Sequence, residues 1–479
     1  MTENGYYRSF VMDNRGSKNE NRDSGYYDEE EEIESEKKEK LVVNNTKNIN
    51  SFNISVSTED QQKEKNMTSN CCLNLNEIIC IINMLASTLG GGAFVFPYIL
   101  YQVGILTSLI LFIFITVSVY YTLDLLRRFV VDSKLISFSI ITQTTLGNFW
   151  LKVYIVTAFL FYMSCIVNYL DILYKFFTSF TEILKDGWPK LVYFLISCII
   201  EIILCLFTNK LSSLHFLSII VVSSYFIIIL VLLIKSIIFF NNEKFKNLSL
   251  FTIEDKNSSS NTGWSVFLFI MSKAIEFFYG YIYHSCFPTL LSGLKNINNY
   301  SSRKVQNISF SLLAIIYIMI LFFGYSFYDN NSEYIFENNI DIENEFLKNS
   351  FKCILILLFI TLVPIRYVVI RDNYTTLVGK EELPLIYEIP ITSICLIINN
   401  SIIYLTGNSN NFISTLIHYF GGAFGVFICF VLPVISHISI NRKTNLRAIF
   451  GYIIMAIFIV IGIFSIFYNF QAKDDGITN

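Results

Sequence analysis

Ser87-Thr88-Leu89-Gly90-Gly91-Gly92-Ala93-Phe94-Val95-Phe96-Pro97-Tyr98 lies in the middle of the first long apolar segment of this 479-residue chain. Three consecutive glycines make a poor helix interior, each costing about 1 kcal/mol relative to alanine. Backbone groups freed by such a break are tolerated in a bilayer only where protein buries them or a wet cavity receives them. A membrane helix broken near its middle points to a ligand site, because half-helix ends and unwound backbone hold the ligand. The competing reading is a close helix–helix contact of the small-residue type.

Composition decides the setting of that break. Hydrophobic residues make up 53% of the chain and charged residues only 15%, against about 25% charged in soluble domains. With a mean hydropathy of +0.52, this is the composition of a polytopic membrane protein. The net charge of −3 is unevenly placed. No broad basic patch or nucleic-acid motif is present, so a nucleic-acid partner is not expected. The ten cysteines are scattered, with no C-x-x-C pair and no metal-ligand spacing. Cys71-Cys72, just before the first helix, suits reversible palmitoylation. No phosphate-binding loop, zinc motif or nucleophile elbow occurs. Enzymatic activity, primary pumping and a bound cofactor are therefore not expected.

Residues 1–70 are polar and rich in asparagine and serine, with the run Asp28-Glu29-Glu30-Glu31-Glu32. Such a segment cannot form a core and reads as a disordered tail. It has no apolar stretch of signal-peptide type. From Leu75 onward, apolar runs long enough to cross a bilayer recur. They predict helices at 76–100, 103–126, 151–177, 189–208, 211–240, 264–288, 305–328, 350–370, 385–406, 411–437 and 446–470, numbered 1 to 11, with a short tail at 471–479. Only Asn209-Lys210 separates helices 4 and 5, so a ten-helix count is the alternative. The loops predicted to be inner hold Arg127, Arg128, Lys134, Lys295, Arg303, Lys304, Arg371, Lys380, Arg442, Lys443 and Arg447, whereas 329–349 is acidic. That asymmetry predicts a cytosolic N-terminus. Asn247, Asn257 and Asn330 begin glycosylation acceptor triplets on the outer side.

A second interruption falls in helix 6, at Phe277-Phe278-Tyr279-Gly280-Tyr281-Ile282-Tyr283-His284-Ser285-Cys286-Phe287-Pro288. Two broken helices five apart are what an inverted repeat of five plus five helices predicts. Ionisable residues inside membrane helices are functional candidates by default. Lys273 and Glu276 share one face of helix 6 and are placed to pair. His284 follows two turns later, with Asp171 in helix 3 and Glu201 in helix 4. Each has a structural alternative: an ion pair, a packed histidine, an aspartate reaching headgroups, and a hydrogen-bonded glutamate.

Three stretches carry a family resemblance. Gly90 to Tyr98 is similar to the helix 1 motif G-[ST]-G-[IV]-[LF]-x-[LF]-P-[YF] of the amino acid/auxin permease family. Arg303-Lys304-Val305-Gln306-Asn307-Ile308-Ser309, with Phe323-Gly324-Tyr325-Ser326-Phe327-Tyr328, resembles the opening and close of that family's helix 7. Val363-Pro364-Ile365-Arg366 resembles its [FL]-P-[IV]-R in helix 8. The resemblance implies a LeuT-type fold of two five-helix inverted repeats with an eleventh helix added. It implies a substrate carboxylate held by backbone N–H groups at Thr88, Gly90, Gly91, Gly92 and Ala93. The substrate ammonium would meet carbonyls at the breaks of helices 1 and 6. Phe278, Tyr279, Gly280 and Tyr281 would shape the side-chain pocket. Sodium-coupled members carry oxygen ligands in helices 1 and 8. The matching positions here are Ala86 and, near it in helix 8, Leu357, with Thr361 one turn on.

The expectation is a secondary amino-acid transporter working by alternating access. It would run with protons as coupling ion or as a facilitator, in a plasma, vacuolar or lysosomal membrane. Glu276 is the first proton-coupling candidate and His284 the second. The alternatives are an amino-acid sensor that signals through its N-terminal tail, and a transporter of other small amines on the same fold.

Overall fold

The structure is a computed structural model that describes residues 73–180, 187–208, 211–239, 263–325, 345–379, 383–406, 417–440 and 446–474. The predicted tail 1–70, the Cys71-Cys72 pair, the three glycosylation triplets and the acidic stretch 329–344 lie outside the described residues.

The first helix, α1, comes in two halves, Leu75–Thr88 and Gly91–Val103, set at 56° to one another. Asn74 and Glu77 form a capping box at its start, with the Asn74 amide donating to Glu77 Oε2 at 3.1 Å; this satisfies orphan donors at both positions. Gly104, at φ 78° and ψ 168°, separates α1 from α2, Ile105–Ser133. A side chain at that φ would be strained, so glycine makes a one-residue corner between two spans. A short helix, Phe138–Leu146, follows α2. The remaining spans are α3 (Asn148–Phe180), α4 (Gly187–Phe207) and α5 (Leu211–Phe239). After these come α6 (Gly263–Tyr279, continued by Phe287–Leu291), α7 (Asn299–Tyr325), α8 (Glu345–Val378) and α9 (Leu385–Thr406). The last are α10 (417–440), wound as a π-helix through much of 417–431, and α11 (Leu446–Asp474).

Among the described residues nine helices are each long and apolar enough to span a membrane, and the bent pair of α1 makes a tenth. The 17 residues of Gly263–Tyr279 reach about 26 Å, short of the roughly 30 Å needed. Phe287–Leu291 adds to that crossing beyond the break. The merger of helices 4 and 5 that would lower the count is not observed, since α4 and α5 are separate helices. Three other expectations shift. The α2 helix continues past 126, because Arg127 and Arg128 both pair with Asp124 along the helix, at 2.7 and 2.8 Å. The α8 helix is longer at both ends than 350–370. The helix Phe138–Leu146 falls in what the sequence suggests is a loop.

Packing follows a regular plan. The α1 break touches α6, α2 packs on α7, α3 on α8 and α4 on α9. Each of the first four helices thus meets the helix five places on, as a two-repeat arrangement requires. The surface is apolar where the spans face outward, as at Ile199, Ile203, Phe226, Ile237, Ile397 and Ile463. The interior holds Arg127, Glu201, Lys273, Glu276, His284, Gln306 and Arg366 in buried positions. That inversion of the soluble pattern is what lipid as solvent selects.

Candidate functional site

The last helical bond of the first half of α1 runs from Leu89 N–H to Leu85 O at 2.8 Å. The chain is extended at Leu89 and Gly90, then turns through a 3₁₀ segment at Gly91–Val95. The first bond of that segment is Ala93 N–H to Gly90 O at 3.1 Å. Three of the carbonyls at the break find side-chain donors. Arg366 Nη1 donates to Ser87 O at 2.7 Å, the Tyr317 hydroxyl to Thr88 O at 3.2 Å, and the Tyr225 hydroxyl to Gly90 O at 2.8 Å. The amides behave differently. The Gly91 N–H meets the Tyr169 hydroxyl, whereas among the described residues the N–H groups of Gly90 and Gly92 have no backbone acceptor. They stand at the N-terminus of Gly91–Val103, the positive end of its dipole. Amide donors without acceptors at such an end make an anion site.

The second break meets the first. Gly280 N–H and Tyr281 N–H close tight turns onto Phe277 O and Phe278 O at 3.3 and 2.8 Å. A Cβ on Gly92 would stand 3.0 Å from Gly280 Cα, so the two chains approach backbone to backbone. Tyr317 ties them together, its single hydroxyl proton shared between Gly280 O at 2.5 Å and Thr88 O at 3.2 Å. Arg366 does the same, since its Nη1 also lies 3.4 Å from Ile282 O. Its Nε donates to the Tyr169 hydroxyl at 3.1 Å, and that hydroxyl sits against Gly90. Any side chain at 90 would collide with Tyr169 and press on Arg366.

The expected site residues are thus partly assembled. Thr88, Gly90, Gly91, Gly92 and Ala93 line the first break, with the Thr88 hydroxyl turned back onto Met84 O at 2.7 Å. Tyr279 reaches the glycines, its Cδ1 lying 3.2 Å from a Cβ placed on Gly92, and its hydroxyl donates to Cys165 Sγ at 3.1 Å. Phe278 packs on Phe430 and Phe458 of α10 and α11. Tyr281 points toward α2 and α7, with its hydroxyl 2.8 Å from that of Thr116 and its ring edge-on to Tyr317. Glu276 pairs with Lys273 Nζ at 2.6 Å, both buried, and that ammonium lies over the Tyr98 ring. His284 is fully buried, with Nε2 2.9 Å from the Thr122 hydroxyl. Asp171 meets Lys175 at 3.2 Å. Glu201 accepts from Ser197 and Asn400 at 2.6 and 3.0 Å, away from the breaks.

Four side chains that hold the junction together, Tyr169, Tyr225, Tyr317 and Arg366, escape sequence reasoning. Arg366 lies in a quoted motif and inside a predicted span, which is the signal available for it. Leu357 is 48% exposed on the outer face of α8 and does not address α1. The α8 side chains that do are Phe359, 3.4 Å from a Cβ placed on Gly91, and Arg366. Neither offers an oxygen, and Thr361 spends its hydroxyl on Leu357 O and Leu358 O. Among the described residues no cluster of three His, Cys, Asp or Glu side chains is arranged to hold a metal.

Among solved structures, the chain resembles a manganese transporter of Eremococcus coleocola, crystallised with an aromatic bis-isothiourea compound. The TM-score is 0.52 at 12% identity, over 81% of this chain and 86% of that one. At that identity the likeness carries the fold alone: an all-α polytopic membrane protein of LeuT type. No curated protein sequence matches the chain. The sequence profile described as transmembrane amino acid transporter protein matches residues 77–472. This chain, with two broken helices meeting at glycines inside that span, belongs to the transmembrane amino acid transporter family.

Proposed function

We propose that the protein is a secondary transporter that carries an amino acid across its membrane by alternating access, with the substrate held where the breaks of α1 and α6 meet. The observation that carries this reading is the asymmetry of the α1 break. Ser87 O, Thr88 O and Gly90 O have side-chain donors in Arg366, Tyr317 and Tyr225, while the amides of Gly90 and Gly92, without a backbone acceptor among the described residues, are open to an anion. A carboxylate fits them by charge, by hydrogen-bonding capacity and by the helix dipole. The ammonium of the same substrate would turn to carbonyls at the two breaks, and Tyr279 would border its side chain. Coupling runs through protons or not at all, because the α1–α8 interface presents a guanidinium and a phenyl ring where a hard cation needs oxygens. Glu276 is the first proton-coupling group and His284 the second. The N-terminus is cytosolic, and the membrane is plasma or vacuolar/lysosomal. The test is a counterflow screen of the L-amino acids with the full chain in proteoliposomes. Accumulation of at least one labelled amino acid supports the reading. Binding without flux would instead make the protein a sensor.

A further inference from the structure

Arg366 is an arginine inside a membrane protein, 5% exposed, on a helix that packs along α3. A guanidinium keeps its proton in proteins. Every acceptor it has is neutral: Ser87 O, Ile282 O and the Tyr169 hydroxyl. The other buried cations of the molecule are answered by carboxylates: Arg127 by Asp124, Lys273 by Glu276 and Arg371 by Glu388. Among the described residues none pairs with Arg366. A buried charge without a counter-charge is costly, and carbonyl dipoles reduce that cost without neutralising it. Its Nη2 has no acceptor among the described residues and lies 3.0 Å from a Cβ placed on Gly90. The unused donor therefore faces Gly90, whose amide has no backbone acceptor among the described residues.

We infer that Arg366 is the counter-charge of the substrate carboxylate, so the site admits molecules that carry a carboxylate and rejects amines that do not. The inference rests on the transport reading above and deepens it. The α1 amides supply hydrogen bonds of fixed direction but only a partial charge. Arg366 supplies a full charge, and Nη2 can share one carboxylate oxygen with the Gly90 amide. Arg366 also joins α1, α3 and α6 through Ser87, Tyr169 and Ile282. A carboxylate drawn to it therefore bears on both broken helices together. The small-amine alternative is disfavoured on the same ground: a bare ammonium at this junction would face the guanidinium with nothing between them.

The test uses the full chain in proteoliposomes and the labelled L-amino acid that gives the strongest counterflow. Competitors are that amino acid unlabelled, its α-carboxamide, and its decarboxylated amine. In the wild type the amide and the amine should compete on the order of 100-fold more weakly than the amino acid, the expected loss when one side of a buried charge pair is removed. Arg366→Gln should shrink that ratio to below about tenfold, while Arg366→Lys, which keeps the charge but not the fork, should retain most of it. Equal competition by the amide in the wild type overturns the inference, with no variant needed. So does an Arg366→Gln protein that transports with the ratio intact. If no amino acid moves in any arm, the transport reading itself is at fault, and the two failures are thereby told apart.

Discussion

Gly92 carries the backbone-to-backbone contact between the two breaks. An added Cβ would press on the Gly280 backbone, which cannot rotate aside as a side chain can. At Gly91 the neighbours are the ends of Ile172, Tyr169 and Phe359, which can give way. Gly92→Ala is therefore expected to lower the initial uptake rate at least about tenfold, through loss of positioning, and Gly91→Ala much less. Equal rates for the two variants would mean the junction does not set the geometry of transport. Tyr317→Phe should remove the hydroxyl proton shared between Thr88 O and Gly280 O. Leaving buried acceptors unpaired costs about 1–3 kcal/mol, so its thermal unfolding midpoint in detergent should fall, and an unchanged midpoint would contradict the bridge. The glycines were legible in the sequence because glycine in a membrane helix has few explanations. Arg366 was not, because Arg371 and the positive inner-loop residues follow it closely, so it reads as part of the end of a span. Only the fold brings it to Ser87 and Gly90.

At the scale of elements, α6 shows how far adjacency in sequence can mislead. Phe278, Tyr279 and Tyr281 sit together in the chain, and the resemblance puts all three at one pocket. Successive residues on a helix end point about 100° apart. They accordingly separate, Phe278 toward α10 and α11, Tyr279 toward α1 and α3, Tyr281 toward α2 and α7. The Lys273–Glu276 pair, by contrast, follows directly from spacing of three on one face. If that pair titrates in the transport cycle, Glu276→Gln should abolish pH-driven accumulation yet spare exchange at fixed pH. Full pH-driven accumulation by the variant would make the pair purely structural. The interface of α1 with α8 yields a further expectation. With Phe359 and Arg366 there, replacing sodium by choline at fixed pH should leave uptake nearly unchanged. A drop of about tenfold would require oxygen ligands placed elsewhere.

For the whole molecule, the order and nature of the helices were readable because each span repeats the same apolar length, and because breaks five helices apart announce a repeat. The counterpart contacts of α1 with α6, α2 with α7, α3 with α8 and α4 with α9 give that repeat its physical form. Helix ends were less readable: ion pairs such as Arg127–Asp124 let α2 run beyond its apolar stretch. Tyr317 and Arg366 each bond both broken helices, which is what the proposed transport cycle needs if one ligand is to bear on both. The most direct measurement is counterflow of labelled L-amino acids into proteoliposomes holding the wild-type chain, with Gly92→Ala beside it. The account predicts accumulation in the wild type, lost in the variant while its folding persists. No accumulation of any amino acid by well-folded wild-type protein, or equal accumulation by both, would contradict it.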